Sequence, residues 1–318
     1  MGYHNRIESR RIASLVTIRS RNAELWLVNN QRLEEVTLGY VAKYSKRYNV
    51  KLYAFAMEGN HLHSVAHYPD ANRADFSRDL HSSVARNVQR YTPEFPGGRL
   101  WARRYSGEIL PAPEDIEEYF FYTVLQPIED GLVASLKDYP FYNCFHDAIY
   151  GIKRQFKVVN WTTFNAARRY DPYASIRDHI EYVELEYARL PGYEEMSKKE
   201  YVKLMLRKLH AREQELVAKR LREGKGFLGR DALLKMPRGA LPVSSKKSSR
   251  YSHRPRVLSV CPIRRQQYLS WYFTVCGDYK QASRSYRSGN LTVAFPAGTY
   301  RPYLKTGPPE GSEGVPFI

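Results

Sequence analysis

Along the first 150 residues, apolar positions recur in a readable order. Arg11 to Arg19 is β-branched and apolar enough for a strand. Gln31 to Tyr48 places Leu33, Val36, Leu38, Val41 and Tyr44 at near-helical spacing and ends in a basic run. Leu52 to Met57 is β-prone, and a second strand opens on His61 after the turn residues Gly59-Asn60. Asp75 to Tyr91 is an amphipathic helix carrying Phe76, Leu80, Val84 and Val88. Pro93, Pro96, Gly97 and Gly98 then break the chain, and Arg99 to Leu110 reads as another strand. A further helix starts near Glu114-Asp115, where acids suit the positive end of the helix dipole. This order predicts an α+β fold, with helices packed on a mainly antiparallel sheet.

The strand after Gly59-Asn60 reads His61-Leu62-His63-Ser64-Val65-Ala66-His67. Alternation puts His61, His63, Val65 and His67 on one face and Leu62 and Ser64 on the other. Neighbours on that face have Cα atoms roughly 6.8 Å apart, close enough for two imidazoles to converge on one divalent metal. The same pattern also fits polar residues on a half-exposed strand. The later helix, Glu118 to Gln126, carries Tyr122 and Gln126 four residues apart, hence neighbours on one face, with Tyr119 one turn earlier. Taken alone, an aromatic helix of this kind is also ordinary core. Pro127 disfavours helical geometry at Gln126, so a kink or an end is expected there.

Composition narrows the partner. The 318 residues include 50 Lys plus Arg against 33 Asp plus Glu, a formal charge of +17, which favours a polyanion and nucleic acid before a membrane surface. Tyr is abundant, at 26 residues, and can stack on unpaired bases as well as fill core edges. Cys144, Cys261 and Cys276 match no zinc spacing and suit reduced thiols of a cytoplasmic protein. No signal peptide or long apolar run is apparent.

Beyond residue 150 the chain mixes basic and aromatic residues. Lys153 to Trp161 suits a strand-binding edge, while Tyr173 to Ala188, Met196 to Glu223 and Ile263 to Tyr286 read as helices. The second of these has a strongly basic face, which also fits a solvated, salt-bridged surface. Pro237 to Arg256 reads as an acid-free linker, and the tail from Gly307 to Gly314 as mobile. The expected organisation is a domain over 1–150, a basic helical extension over 151–236, a linker over 237–256 and a helical region with a flexible tail over 257–318. Candidate phosphate contacts are Arg103, Arg104, Lys153, Arg154, Lys246, Lys247 and Arg250.

Two runs together resemble a known family. His61-Leu62-His63 after Gly59-Asn60 is similar to the His-hydrophobic-His strand of the HUH endonucleases. Tyr122 preceding Gln126-Pro127-Ile128-Glu129-Asp130-Gly131-Leu132-Val133, then Asp138-Tyr139-Pro140, resembles the single-tyrosine branch. That branch includes IS200-like transposases and the REP-associated tyrosine transposases. The likeness covers about residues 10 to 150, with weaker echoes at Gly226 to Arg230 and Phe295 to Tyr300. Glu58-Gly59 and Ile128-Glu129-Asp130 depart from the usual pattern, in loop shape and charge.

The resemblance implies an RRM-like or ferredoxin-like core. It implies a metal-dependent single-stranded DNA endonuclease and strand transferase acting on hairpin-bearing DNA, as a monomer or homodimer. It gives Tyr122 the role of nucleophile, forming a 5′-phosphotyrosine, and gives His61, His63 and Gln126 the role of ligands to Mg²⁺ or Mn²⁺. Two other readings stand beside it: a non-catalytic single-strand-binding regulator on the same fold, and a metal hydrolase in which His67 joins the pair and Tyr122 is structural.

Overall fold

The structure is a computed structural model and describes residues 6–242 and 256–303. Its first half runs β1 (Ala13–Arg19), α1 (Gln31–Arg47), β2 (Lys51–Glu58), β3 (His61–His67), α2 (Arg73–Tyr91), β4 (Ser106–Leu110) and α3 (Pro113–Val124). The four strands form one antiparallel sheet in the order β2-β3-β1-β4. Two βαβ halves joined through the β2–β3 hairpin give the ferredoxin-like βαββαβ arrangement, as expected.

Helices cover both faces of the sheet. Register places Thr17 and Arg19 of β1 opposite His63 and His61 of β3, so these four side chains share a face. Helix α3 packs there, its Tyr122 ring meeting the His63 ring edge-on. The other face carries Ser14, whose hydroxyl accepts from Arg73 at the start of α2 at 2.9 Å. Helix α1 pairs with α2, the Tyr44 hydroxyl lying 2.9 Å from that of Ser83. With both faces covered, β3 is buried from Leu62 to Ala66 even though its sequence alternates. Asn30 caps α1 by accepting from Leu33 N, and Pro113 opens α3 where no helical N–H is needed.

After a break at Leu125 come α4 (Gln126–Glu129) and α5 (Phe145–Tyr150). Next come β5 (Arg154–Val159), α6 (Trp161–Tyr170), β6 (Ile180–Leu185), α7 (Lys198–Arg222), α8 (Arg230–Leu234) and α9 (Pro262–Arg287). The helix expected over Tyr173 to Ala188 is not there. Ile180 to Leu185 pairs antiparallel with β5, because it is rich in β-prone Ile, Tyr and Val and packs on α1 with Leu185 buried. Gly39 of α1 admits that hairpin; a Cβ there would lie 2.8 Å from Val158. The helices expected from Met196 and from Ile263 are present as α7 and α9.

The second half seals the sheet. On the outer edge of β2, Ala188 N donates to Leu52 O at 2.7 Å and Phe55 N to the Cys144 thiol. On the outer edge of β4, Ile109 N donates to Arg256 O at 2.8 Å and Leu258 N to Ile109 O at 2.9 Å. Covered edges cannot pair with other chains. Helix α7 lies along α3, with Lys208 2.6 Å from Glu117 and Arg212 2.7 Å from Glu118. The described ends of the stretch read as a linker are docked as well: Arg238 donates to Asn29 O, and Gly239 N to Leu25 O. Ser244 to Tyr251 and the tail from Gly307 to Gly314 fall outside the described residues. Among the described residues no helix is long and apolar enough to cross a membrane.

The core under α3 supplies the stability test. Phe121 is fully buried and carries the Arg212 guanidinium 4.6 Å above its ring. Phe121→Ala should cost about 3–5 kcal/mol, the usual penalty for emptying a buried aromatic site. Chemical denaturation checks this. The shift should be cooperative, because the same ring joins sheet, α3 and α7.

Candidate active site

The histidine pair is held by its turn. Gly59-Asn60 closes the β2–β3 hairpin, with Glu58 facing His61 across it. A Cβ at Gly59 would lie 2.7 Å from Val28 and 2.9 Å from Leu25, so only glycine lets the loop from Ser20 to Val28 close over the turn. That loop is bonded to it: Leu27 N donates to Gly59 O at 2.9 Å, and Ser20 N to Asn60 O at 2.8 Å.

Asn60 sets the state of His61. Its amide nitrogen donates to Ala23 O at 2.8 Å, which leaves its side-chain oxygen facing His61 Nδ1 at 2.7 Å. A carboxamide oxygen only accepts, so the hydrogen-bond network assigns the proton to Nδ1 and leaves the Nε2 lone pair open. His63 Nδ1 lies 2.9 Å from the Thr17 hydroxyl. Such partners fix ring orientation in the way outer partners orient metal-binding histidines. The two rings stand nearly perpendicular with centroids 4.7 Å apart.

Helix α3 brings the second half of the site. The Tyr122 ring lies 5.8 Å from that of His63 and 5.6 Å from that of Tyr119. Helix α3 ends at Val124, one residue earlier than Pro127 would suggest, and Gln126 opens the next turn. Gln126 is buried and lines the same cleft as His61 and Tyr122. The four residues singled out by motif therefore stand together. All four line one cleft of about 1580 Å³ between the sheet, α3 and the α7–α8 region.

Charge is divided within this cleft. Burial, then the Arg19 cation, lowers His61 to about 4, so its imidazole is neutral near pH 7. Burial, then Glu129, raises Tyr122 to about 12. Glu58 is pushed up to about 8 by burial and then Asp130. Tyr119 is also raised, first by burial.

The remaining candidates are scattered. Arg103 and Arg104 follow Trp101, which bridges to Ser20 beyond the end of β1, and both line the cleft as exposed side chains. Lys153 pairs with Glu184 and Glu186, and Arg154 with Asp147, on the hairpin behind α1. Neither lines the cleft. Lys246, Lys247 and Arg250 fall outside the described residues. His67 Nε2 lies 2.7 Å from Arg10 O at the far end of β3, away from the pair. Sequence reading missed Thr17, Arg19, Glu58 and the side-chain role of Asn60. Only Asn60 carried a signal, its place directly before the first histidine.

A divalent cation fits the donor set. His61 offers an oriented imidazole nitrogen, the His63 ring stands beside it and Gln126 adds a buried carboxamide, while no fixed carboxylate is needed if a phosphate supplies oxygen. Among the described residues, no group of three or more His, Cys, Asp or Glu forms a separate metal site.

Comparison with known proteins gives a match over part of the chain. The family described as IS200-like transposase matches residues 15–117. Among solved structures, a REP-associated tyrosine transposase bound to a REP hairpin is similar at 17% identity and a TM-score of 0.40. That match covers 46% of this chain and 84% of the other. A transposase from Deinococcus radiodurans, described there as putative, is similar at 16% identity and a TM-score of 0.27, covering 39% of this chain and 96% of the other. No curated protein matches. The family match spans β1 to the first turn of α3, contains both histidines and ends before Tyr122, so over residues 15–117 the chain is similar to the IS200-like transposases.

Proposed function

We propose that the chain is a metal-dependent single-stranded DNA endonuclease and strand transferase with Tyr122 as nucleophile. The observation that carries this reading is the meeting of His61, His63, Tyr122 and Gln126 in one cleft, from a strand and a helix far apart in sequence. The proposed substrate is hairpin-bearing single-stranded DNA, by the resemblance of the Tyr122 to Val133 run.

Each residue has a distinct task. Tyr122 Oη forms a bond to phosphorus while the P–O3′ bond breaks. The 3′ oxygen leaves with the electron pair and takes up a proton, and the phenol proton passes to solvent. The product is a 5′-phosphotyrosine and a free 3′-OH, and a later 3′-OH can reverse the step and join strands. His61, His63 and Gln126 would hold Mg²⁺ or Mn²⁺, which supplies Lewis-acid polarisation of the phosphodiester when bound. Asn60 and Thr17 keep the two imidazoles oriented. Gln126, buried in the same cleft, stands in the proposed ligand set beside the attacking group. Arg103 and Arg104 lie where the backbone of a bound strand would pass.

Tyr122→Phe removes the attacking oxygen and keeps the ring. With labelled hairpin-bearing single strands and Mn²⁺, the denaturant-stable adduct should vanish in Tyr122→Phe and persist in Tyr119→Phe. Peptide mapping of the wild-type adduct should locate the nucleotide on Tyr122; finding it on Tyr119 overturns the assignment. His61→Ala and His63→Ala should abolish cleavage, as should excess chelator. DNA affinity in filter binding should be largely retained, since phosphate contacts and stacking carry it. Cleavage that survives chelation removes the metal from the mechanism. His67→Ala should leave cleavage near the wild-type level, since its ring is engaged with Arg10 O.

A further inference from the structure

We propose that Arg19 is a catalytic residue, a guanidinium seat for the scissile phosphate beside the His61–His63 pair. The inference rests on the nuclease reading and deepens it by naming the group that neutralises the reacting phosphoryl oxygen.

The backbone places Arg19. It is the last residue of β1 and lies directly opposite His61 in the antiparallel register, so both side chains leave the same face of the sheet. Ala102 N donates to Arg19 O at 2.9 Å, which ties this strand end to the segment carrying Arg103 and Arg104. Arg19 lines the cleft with His61, His63, Tyr122 and Gln126.

Its own bonding is incomplete. Arg19 is half-buried, yet among the described residues its side chain forms no ion pair, and its buried Nε–H has no hydrogen-bond partner. A buried donor left without a partner is costly. Arg238 shares that orphaned Nε–H, but its charge, like that of Arg212, is met by an acid. Arg212 pairs with Glu118 and Arg238 with Glu94. The acid on the same cross-strand row is occupied elsewhere. Glu58 lies two strands from Arg19, about 9.6 Å by sheet spacing, and its carboxylate takes the Tyr139 hydroxyl.

The electrostatics favour an anion between Arg19 and the histidines. Residues suited to hold a dication stand next to a fixed cation, and like charges a few ångströms apart repel. A phosphodiester resolves both problems. It carries one negative charge and two non-bridging oxygens, so one oxygen can accept from Arg19 while the other faces His61 and His63. Charge on those oxygens grows as Tyr122 Oη approaches phosphorus, and a positioned guanidinium stabilises the transition state more than the ground state.

The first test needs no metal and no turnover. The full chain, ¹⁵N-labelled at arginine and kept in chelator, is titrated with inorganic phosphate. The Nε–H signal absent from an Arg19→Lys spectrum identifies Arg19. That signal should move saturably, and a stationary signal overturns the proposal. The second test measures adduct formation on hairpin-bearing single strands with Mn²⁺. Arg19→Gln should slow it by about 100-fold, the scale of losing one oxyanion donor, and Arg19→Lys should recover part of the loss. Wild-type rates in Arg19→Gln overturn the catalytic role. If Arg19→Gln fails to fold by thermal melting, the wild-type titration decides. If the wild type forms no adduct while the Arg19 signal still responds, the nuclease reading falls and the phosphate seat stands.

Discussion

The site depends on one packing constraint, the seating of α3 against the sheet. Tyr122 and Gln126 share no strand or turn with the histidines. They reach them because Phe120, Phe121 and Val124 are buried beneath the helix. Each phenylalanine removes on the order of 200 Å² from water, which outweighs any single polar contact at the site. The ion pairs to Glu117 and Glu118 from α7 are partly exposed and individually weak, but they fix the helix from outside. Tyr119 and Tyr122 remain half-buried, at the border between this packing and the cleft.

Within the cleft, neutral and charged groups are sorted along one sheet row. Glu58 lies at one end under the influence of Asp130, and Arg19 at the other, with His61 between them. Burial keeps the imidazole neutral, the state a metal ligand would need, and keeps the Tyr122 phenol protonated in the free protein. On the proposed reading, activation of that phenol falls to the substrate-bound site, where added positive charge would favour the phenolate.

The second half of the chain completes the first. Ala188 closes the β2 edge and Arg256 to Leu258 closes the β4 edge. Arg220 sits against Gly131, where positive φ and the absence of a side chain admit the guanidinium, and Leu228 N donates to Gly131 O. The run from Gly226 to Gly229 thereby docks on the loop that follows Gln126, and the cleft wall is made partly from the extension. Cutting near residue 150 would expose two strand edges and open one side of the site.

By itself the sequence determined the periodic elements and the chemistry they carry. The spacing of Leu33 to Tyr44 and of Phe76 to Val88 gave α1 and α2, and the Gly59-Asn60 turn gave the β2–β3 hairpin, because these follow from local periods of 3.6 and 2. The histidines and Tyr122 with Gln126 were legible as two motifs, each local. Only tertiary structure decided that they meet, since that depends on which sheet face α3 covers. It also made Ile180 to Leu185 a strand rather than a helix, by supplying β5 as its partner. It paired Lys153 and Arg154 with acids behind α1 and left Arg19 beside His61. A basic residue looks the same in sequence whether or not a carboxylate stands near it, and the fold around it decides which case holds.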